Sequence, residues 1–159
     1  MLTFSQVMQT PVGPLVITAN ESAITAISFK NKGDNVPNDL THACQSQLEQ
    51  YFTGQRKQFS LPIQPEGTSF QHLVWSQLQE IPWGHTRTYG DIAEQIGNPK
   101  ASRAVGMANN RNPIPIIIPC HRIIGKNGDL IGYSAGLEIK TQLLMLECQI
   151  LPLDFGDSH

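Results

Sequence analysis

Three consecutive side chains, Cys120, His121 and Arg122, hold the densest chemistry in this sequence. A thiol attacks as its thiolate, and positive charge beside it favours that form. The ten residues that end on Arg122 read Pro-Ile-Pro-Ile-Ile-Ile-Pro-Cys-His-Arg. Each proline lacks an N–H and fixes φ, so the run is expected to be extended and stiff, delivering Cys120 to one place. A cysteine nucleophile also needs a base, a group that orients the base, and an acid for the leaving group. His121, Glu147 and Tyr89 are the candidates. On an extended chain neighbouring side chains point apart, so His121 is expected to reach Cys120 through a bridging water. Sequence alone does not single out Glu147, and the bland alternative for Cys120 is a buried, inert thiol.

The chain that must hold these residues has 159 positions, 40% hydrophobic and 15% charged, which is ordinary globular composition with enough apolar residues for a core. No apolar run approaches the roughly 18 to 20 residues of a membrane span, and the first ten residues are neither a basic nor an apolar signal region. A cytoplasmic protein with no membrane association is expected. Cys44, Cys120 and Cys148 are an odd number without C-x-x-C spacing, so a reducing compartment is expected, with no metal and no cofactor. The net charge is −2, yet it is unevenly spread. Residues 82–126 carry Arg87, Lys100, Arg103, Arg111, Arg122 and Lys126 against Asp91 and Glu94, so that stretch is +4 and the rest −6. One basic face for an anionic partner is compatible with this segregation.

Residues 2–9, 15–19 and 24–29 are short, β-branched and broken by turn residues, which predicts an antiparallel meander. Asn38 or Asp39 is placed to start a helix running to about Phe52, ended by Gly54. Residues 59–63 offer a further strand, and Gln64-Pro65-Glu66-Gly67 marks a boundary between domains at 1–66 and 67–159. Thr68 or Ser69 caps the next helix, which Pro82 stops. Residues 89–96 are helical with Gly97 as the residue after the cap, and Pro99 is expected at the first position of a second helix running to about Asn110. Helix, short glycine turn and helix is the helix-turn-helix pattern, although plain packing of two helices gives the same signature. Ala101, Ala104, Val105 and Ala108 are expected on the inner face of that second helix, with small residues allowing close approach to a partner. Asn127-Gly128 predicts a hairpin wing over 123–132, and a last helix runs from about 137 to 148 with Leu143, Leu144 and Leu146 inward. The tail is expected to pack at 151–155 and then fray. The fold class expected is α+β: a small N-terminal antiparallel sheet with a helix, then a mostly helical, winged helix-turn-helix-like domain.

The sequence resembles the O6-alkylguanine-DNA alkyltransferases. The resemblance rests on Pro119-Cys120-His121-Arg122, on Tyr89-Gly90-Asp91-Ile92-Ala93, on the run from Gly97 to Gly106 that reads Gly-Asn-Pro-Lys-Ala-Ser-Arg-Ala-Val-Gly, on Asn112-Pro113 and on Gly132-Tyr133-Ser134. It is dense over residues 68–147 and weaker before them, where the family carries a ribonuclease H-like sheet with a helix. It implies a DNA repair protein used once, in which Cys120 takes the alkyl group from O6-alkylguanine, and from O4-alkylthymine, in duplex DNA after base flipping. By the same resemblance His121 deprotonates Cys120 through water, Glu147 orients His121, Tyr89 donates a proton to the departing guanine, and Asn112 braces the turn before the Cys120 segment. Arg103 fills the gap left by the flipped base, and Ala101, Ser102, Lys100, Arg111 and Tyr89 line a minor-groove DNA surface. Ser134, Ala135, Ile123 and Tyr133 form the substrate pocket, with Ala135 standing where the family often has glycine. A monomer is implied, with alkylated double-stranded DNA as partner. Two other readings stay open at this level. One is a non-catalytic lesion-binding relative, which would carry another residue at the cysteine position. The other is a Cys-His hydrolase or redox enzyme, which would leave the Arg103 helix without a purpose.

Overall fold

The computed structural model describes residues 2–30, 32–133 and 135–148. It has α+β architecture in two units. Among the described residues, one unit holds those up to Glu66 together with Pro113–Ile117; the other holds Gly67–Asn112 and those from Ile118 to Cys148. Pro113–Ile117 groups with the sheet unit rather than with its sequence neighbours.

The first unit is an antiparallel sheet, β1 (Phe4–Thr10), β2 (Gly13–Ala19) and β3 (Ile24–Ser28), in the order β1-β2-β3. The register pairs Phe4 with Ala19 and Val16 with Ser28. The first connection closes at Gly13, whose φ of 108° is a conformation glycine adopts without steric cost. Helix α1 (Asp39–Phe52) begins at Asn38, whose side chain accepts from Thr41 N while Thr41 Oγ1 accepts from Asn38 N, each at 2.9 Å. Its inward residues Cys44, Leu48 and Tyr51 are buried, as are Leu15, Ile17, Ile24 and Ile27 of the sheet. The strand expected at 59–63 reduces to one parallel bridge, Ile24 to Ile63. The Pro113–Ile117 segment docks here through Ile27 N donating to Pro113 O, 2.9 Å. It is not the extended rod its prolines suggest, because Ile116 turns at φ 76°, an outlier for a β-branched residue.

The second unit begins with α2 (Ser69–Leu78), capped by Thr68, whose hydroxyl accepts from Gln71 N. Trp75 is buried and its indole N–H donates to Ala108 O at 2.9 Å, so the aromatic residue joins α2 to a later helix. The two-residue strand β4 (Arg87–Thr88) leads into α3 (Tyr89–Gln95), then α4 (Ser102–Asn110). After a single 3-10 turn at Cys120–Arg122 comes β5 (Ile123–Ile124), which pairs with β4 in parallel. The expected hairpin wing is absent among the described residues. Asn127 and Gly128 do take the positive φ values of a tight turn, 72° and 84°, but no strand follows to pair back with β5. Helix α5 (Leu137–Cys148) completes the unit. Among the described residues no helix is long and apolar enough to cross a membrane.

Candidate active site

The helix pair is set by its caps. Thr88 Oγ1 accepts from Asp91 N at 3.0 Å and Asp91 answers by accepting from Thr88 N at 2.9 Å, which fixes the start of α3 one residue before Tyr89. At the other end Gly97, at φ 80°, lets Asn98 N reach Ala93 O and its own N–H reach Glu94 O, a Schellman ending. Pro99 does not open α4. Residues 98–101 form a separate turn, with Ala101 N donating to Asn98 O, and the helix starts at Ser102.

Cys120 lies in the 3-10 turn Cys120–Arg122, so the chain bends at the thiol instead of passing it extended. Asn112 Nδ2 donates to Ile118 O at 2.7 Å and Asn109 Nδ2 donates to Cys120 O at 3.3 Å, tying the end of α4 to the backbone on either side of Pro119. His121 Nε2 lies 2.5 Å from Glu147 Oε2. Arg122 grips the same carboxylate with two donors, Nε to Oε1 at 2.7 Å and Nη2 to Oε2 at 2.9 Å, and sends Nη1 to Ile81 O at 2.6 Å. All three are buried. Such a fork is the strong form of a carboxylate hydrogen bond, and it leaves Glu147 no freedom to turn from His121.

Tyr89 Oη donates to Ile131 O at 2.9 Å, and Lys140 Nζ donates to Ile131 O at 2.8 Å and to Gly132 O at 3.3 Å. Gly132 sits at φ 68°, and a Cβ there would stand 2.9 Å from Tyr89 Oη. Glycine is needed at this point both for the turn and for the tyrosine.

Burial raises the Cys120 pKa to about 11, against the Asn112 hydrogen bond, the Lys140 charge and the Tyr133 hydrogen bond, which all lower it. At neutral pH the group is a thiol. His121 and Arg122 therefore do not act on it as the adjacent cations their sequence position suggests, since both turn to Glu147. Burial also lowers the His121 pKa, opposed by Glu147, so the ring is neutral at rest. With Nε2 engaged by the carboxylate, Nδ1 is the acceptor; it is buried with no hydrogen-bond partner among the described residues. Burial works to raise the Glu147 pKa, but His121 and Arg122 overcome it and hold the carboxyl down to about 2. Tyr89 is raised by burial and then by Cys120, which keeps its hydroxyl a proton donor. This set of groups holds an acceptor for a thiol proton in His121 Nδ1 and a proton donor for a leaving group in Tyr89.

Among the residues singled out from sequence, His121 is paired with Glu147, and Tyr133 and Asn112 hydrogen-bond the Cys120 thiol. Ile123 is buried and Ala135 half-buried, while Ser134 lies outside the described residues, as does the tail assigned to 151–155. Arg103, Lys100 and Arg111 are exposed, and Ala101 and Ser102 half-buried. The inner face of α4 differs from the expectation: Val105, Ala108 and Asn109 are buried, whereas Ala104 and Met107 face out. On α5, Leu143 and Leu144 are inward but Leu146 is half-buried, and the other inward residues are Lys140 and Glu147. Two residues were missed, Arg122 as the clamp on Glu147 and Lys140 as the cation near the thiol. The signal for Lys140 was present, because Lys140, Leu143, Leu144 and Glu147 follow i, i+3, i+4, i+7 and so share one stripe. Among the described residues no group of three His, Cys, Asp or Glu could hold a metal ion.

Two family models match this chain: the ribonuclease-like domain of 6-O-methylguanine DNA methyltransferase over residues 4–65, and the DNA binding domain of the same proteins over residues 69–149. A methylated-DNA–protein-cysteine methyltransferase of Methanosarcina acetivorans is 50% identical over 89% of this chain and 96% of its own length. The protein of that name from Mycobacterium leprae is 46% identical over 88% and 89%. A crystal structure of Mycobacterium tuberculosis OGT in complex with DNA superposes with a TM-score of 0.86 at 40% identity, covering 96% of this chain and 97% of that one. With both domains matched in order and whole-length relatives at this identity, the chain belongs to the family of 6-O-methylguanine-DNA methyltransferases, the methylated-DNA–protein-cysteine methyltransferases.

Proposed function

We propose that this protein repairs O6-alkylguanine, and O4-alkylthymine, in duplex DNA by moving the alkyl group onto its own Cys120. The observation that carries this reading is the buried His121–Glu147 pair, with His121 the next residue after the buried thiol of Cys120. His121 Nδ1 accepts the Cys120 proton through a bridging water, and Glu147, gripped by Arg122, holds the ring and stabilises its charged form. Cys120 Sγ then attacks the alkyl carbon; a C–S bond forms, the C–O6 bond breaks, and its electron pair leaves on guanine. Tyr89 donates its proton to that guanine and is reprotonated from solvent. To do so, its hydroxyl exchanges the Ile131 carbonyl for the base. The thioether has no route back to thiol, so each chain acts once.

Residues 67–159 carry this chemistry and 1–66 form a separate α/β domain. The α4 face enters the minor groove, Arg103 occupies the space of the extruded base, and Ala101, Ser102, Lys100 and Arg111 contact the backbone around it. Ser134, Ala135, Ile123 and Tyr133 hold the flipped base. The protein works as a monomer in the cytoplasm, where its three free cysteines stay reduced. Incubation with a duplex containing O6-methylguanine, followed by peptide mass measurement, is expected to place one methyl group on Cys120. An unmodified Cys120 peptide, or repair by Cys120→Ala, overturns the proposal.

A further inference from the structure

Among the described residues, Met107 is 66% exposed, the most exposed of the large apolar side chains. It lies in the middle of α4, four residues after Arg103 and four before Arg111, so the three share one outward stripe with Ala104 and Asn110. That stripe contains no acid, and Lys100 stands just before it. Arginine, lysine and asparagine on such a face suit phosphates and base edges. A thioether suits neither, and a polar residue there would have kept the helix at less apolar exposure. What a groove offers to a flexible, polarisable side chain is its sugar walls and the faces of partly unstacked bases.

We propose that Met107 is a further, apolar DNA-contacting residue of α4: it presses into the minor groove one turn after Arg103 and packs against the sugars and base step beside the extruded nucleotide. This rests on the reading of α4 as the groove-binding helix. Four residues advance roughly 6 Å along a helix, about two steps of a strand whose phosphates recur every ~3.4 Å. Arg103 and Met107 therefore address different steps, one by filling the stack and the other by bracing its neighbour. The contact is apolar, so it adds affinity that salt does not screen, on top of the salt-sensitive contribution of the cations.

The test measures binding to a duplex carrying O6-methylguanine across a salt series, for the unaltered protein and for Met107→Ala, Met107→Leu and Arg103→Ala. Methyl transfer from that duplex is measured beside alkyl transfer from a free O6-benzylguanine base. Met107→Ala is expected to weaken duplex binding ~10-fold at every salt concentration with an unchanged slope of log K against log salt, as loss of an apolar contact should. Met107→Leu is expected to restore most of it, and Arg103→Ala to flatten the slope by about one. The ratio of duplex to free-base transfer should fall in Met107→Ala. Binding by Met107→Ala equal to the unaltered protein, or a slope change like that of Arg103→Ala, overturns the proposal. If the unaltered protein binds the duplex but never alkylates Cys120, the proposed function fails, while the binding series still decides the role of Met107.

Discussion

Glu147 shows how much a single buried charge depends on its partners. Both of its oxygens are occupied, and its carboxyl is held down to about 2 by His121 and Arg122 in spite of burial. Its folded pKa lies below the ordinary 4.5, so the stability it contributes is fully present above about pH 4.5 and is lost as pH falls towards 2. Glu147→Gln should therefore be less stable at pH 7 by roughly 3 to 5 kcal/mol, because it leaves Arg122 buried without its carboxylate, and the difference should shrink below pH 4. Urea unfolding at several pH values measures both. Lys140 responds with the same sign in a higher pH window. Burial lowers its pKa to about 8, against the pull of Cys120, so the unfolded chain binds more protons between about pH 8 and 10.5 and stability from this group rises across that window. Lys140→Met should abolish that rise. It should also slow alkyl transfer at pH 7 several-fold, since the charge that lowers the Cys120 pKa is removed, and shift the pH-rate profile upward.

At the scale of elements, the candidate site is held by short, capped pieces rather than by long ones. Helix α3 spans only Tyr89–Gln95, and its position depends on the reciprocal bonds between Thr88 and Asp91. Thr88→Ala should cost about 1 kcal/mol by loss of the cap, read by thermal unfolding. The loop before α5 is pinned by Tyr89 and Lys140 on the carbonyls of Ile131 and Gly132. Gly132→Ala should cost about 1 to 3 kcal/mol, from a non-glycine residue at φ 68° and from the collision with Tyr89 Oη. Alkyl transfer should fall with it, whereas Gly128→Ala, whose added Cβ meets nothing within 4 Å, should share only the backbone cost. Comparing the two separates strain from displacement of the tyrosine.

At the scale of the whole chain, a net charge of −2 conceals the +4 of residues 82–126, and the family's DNA binding domain covers that stretch. Affinity for duplex should fall steeply as salt rises, with little preference for sequence outside the lesion, in a binding series on duplexes of different sequence. Alkyl transfer should stop at one group per chain, with no turnover on prolonged incubation.

By itself the sequence determined the α+β class and the elements with strong local signals, and it singled out Cys120 as the candidate nucleophile. Caps such as Asn38, Thr68 and Thr88 and the glycine at 97 act within a few residues, so their effects are written locally. It also carried the family through motifs whose order and spacing suffice. Tertiary structure decided what lies between distant positions. No local rule says that Arg122 turns from Cys120 to grip Glu147, 25 residues on, or that Lys140 lies buried against the carbonyls before it. The prolines before Cys120 promised an extended run. Packing imposed a turn at Ile116 and a bend at Cys120 instead, since burial of that apolar segment outweighs the strain of one positive φ. The thiolate expected from neighbouring charges is likewise a thiol in the fold, because desolvation depends on what surrounds a group in space rather than on what precedes it in the chain.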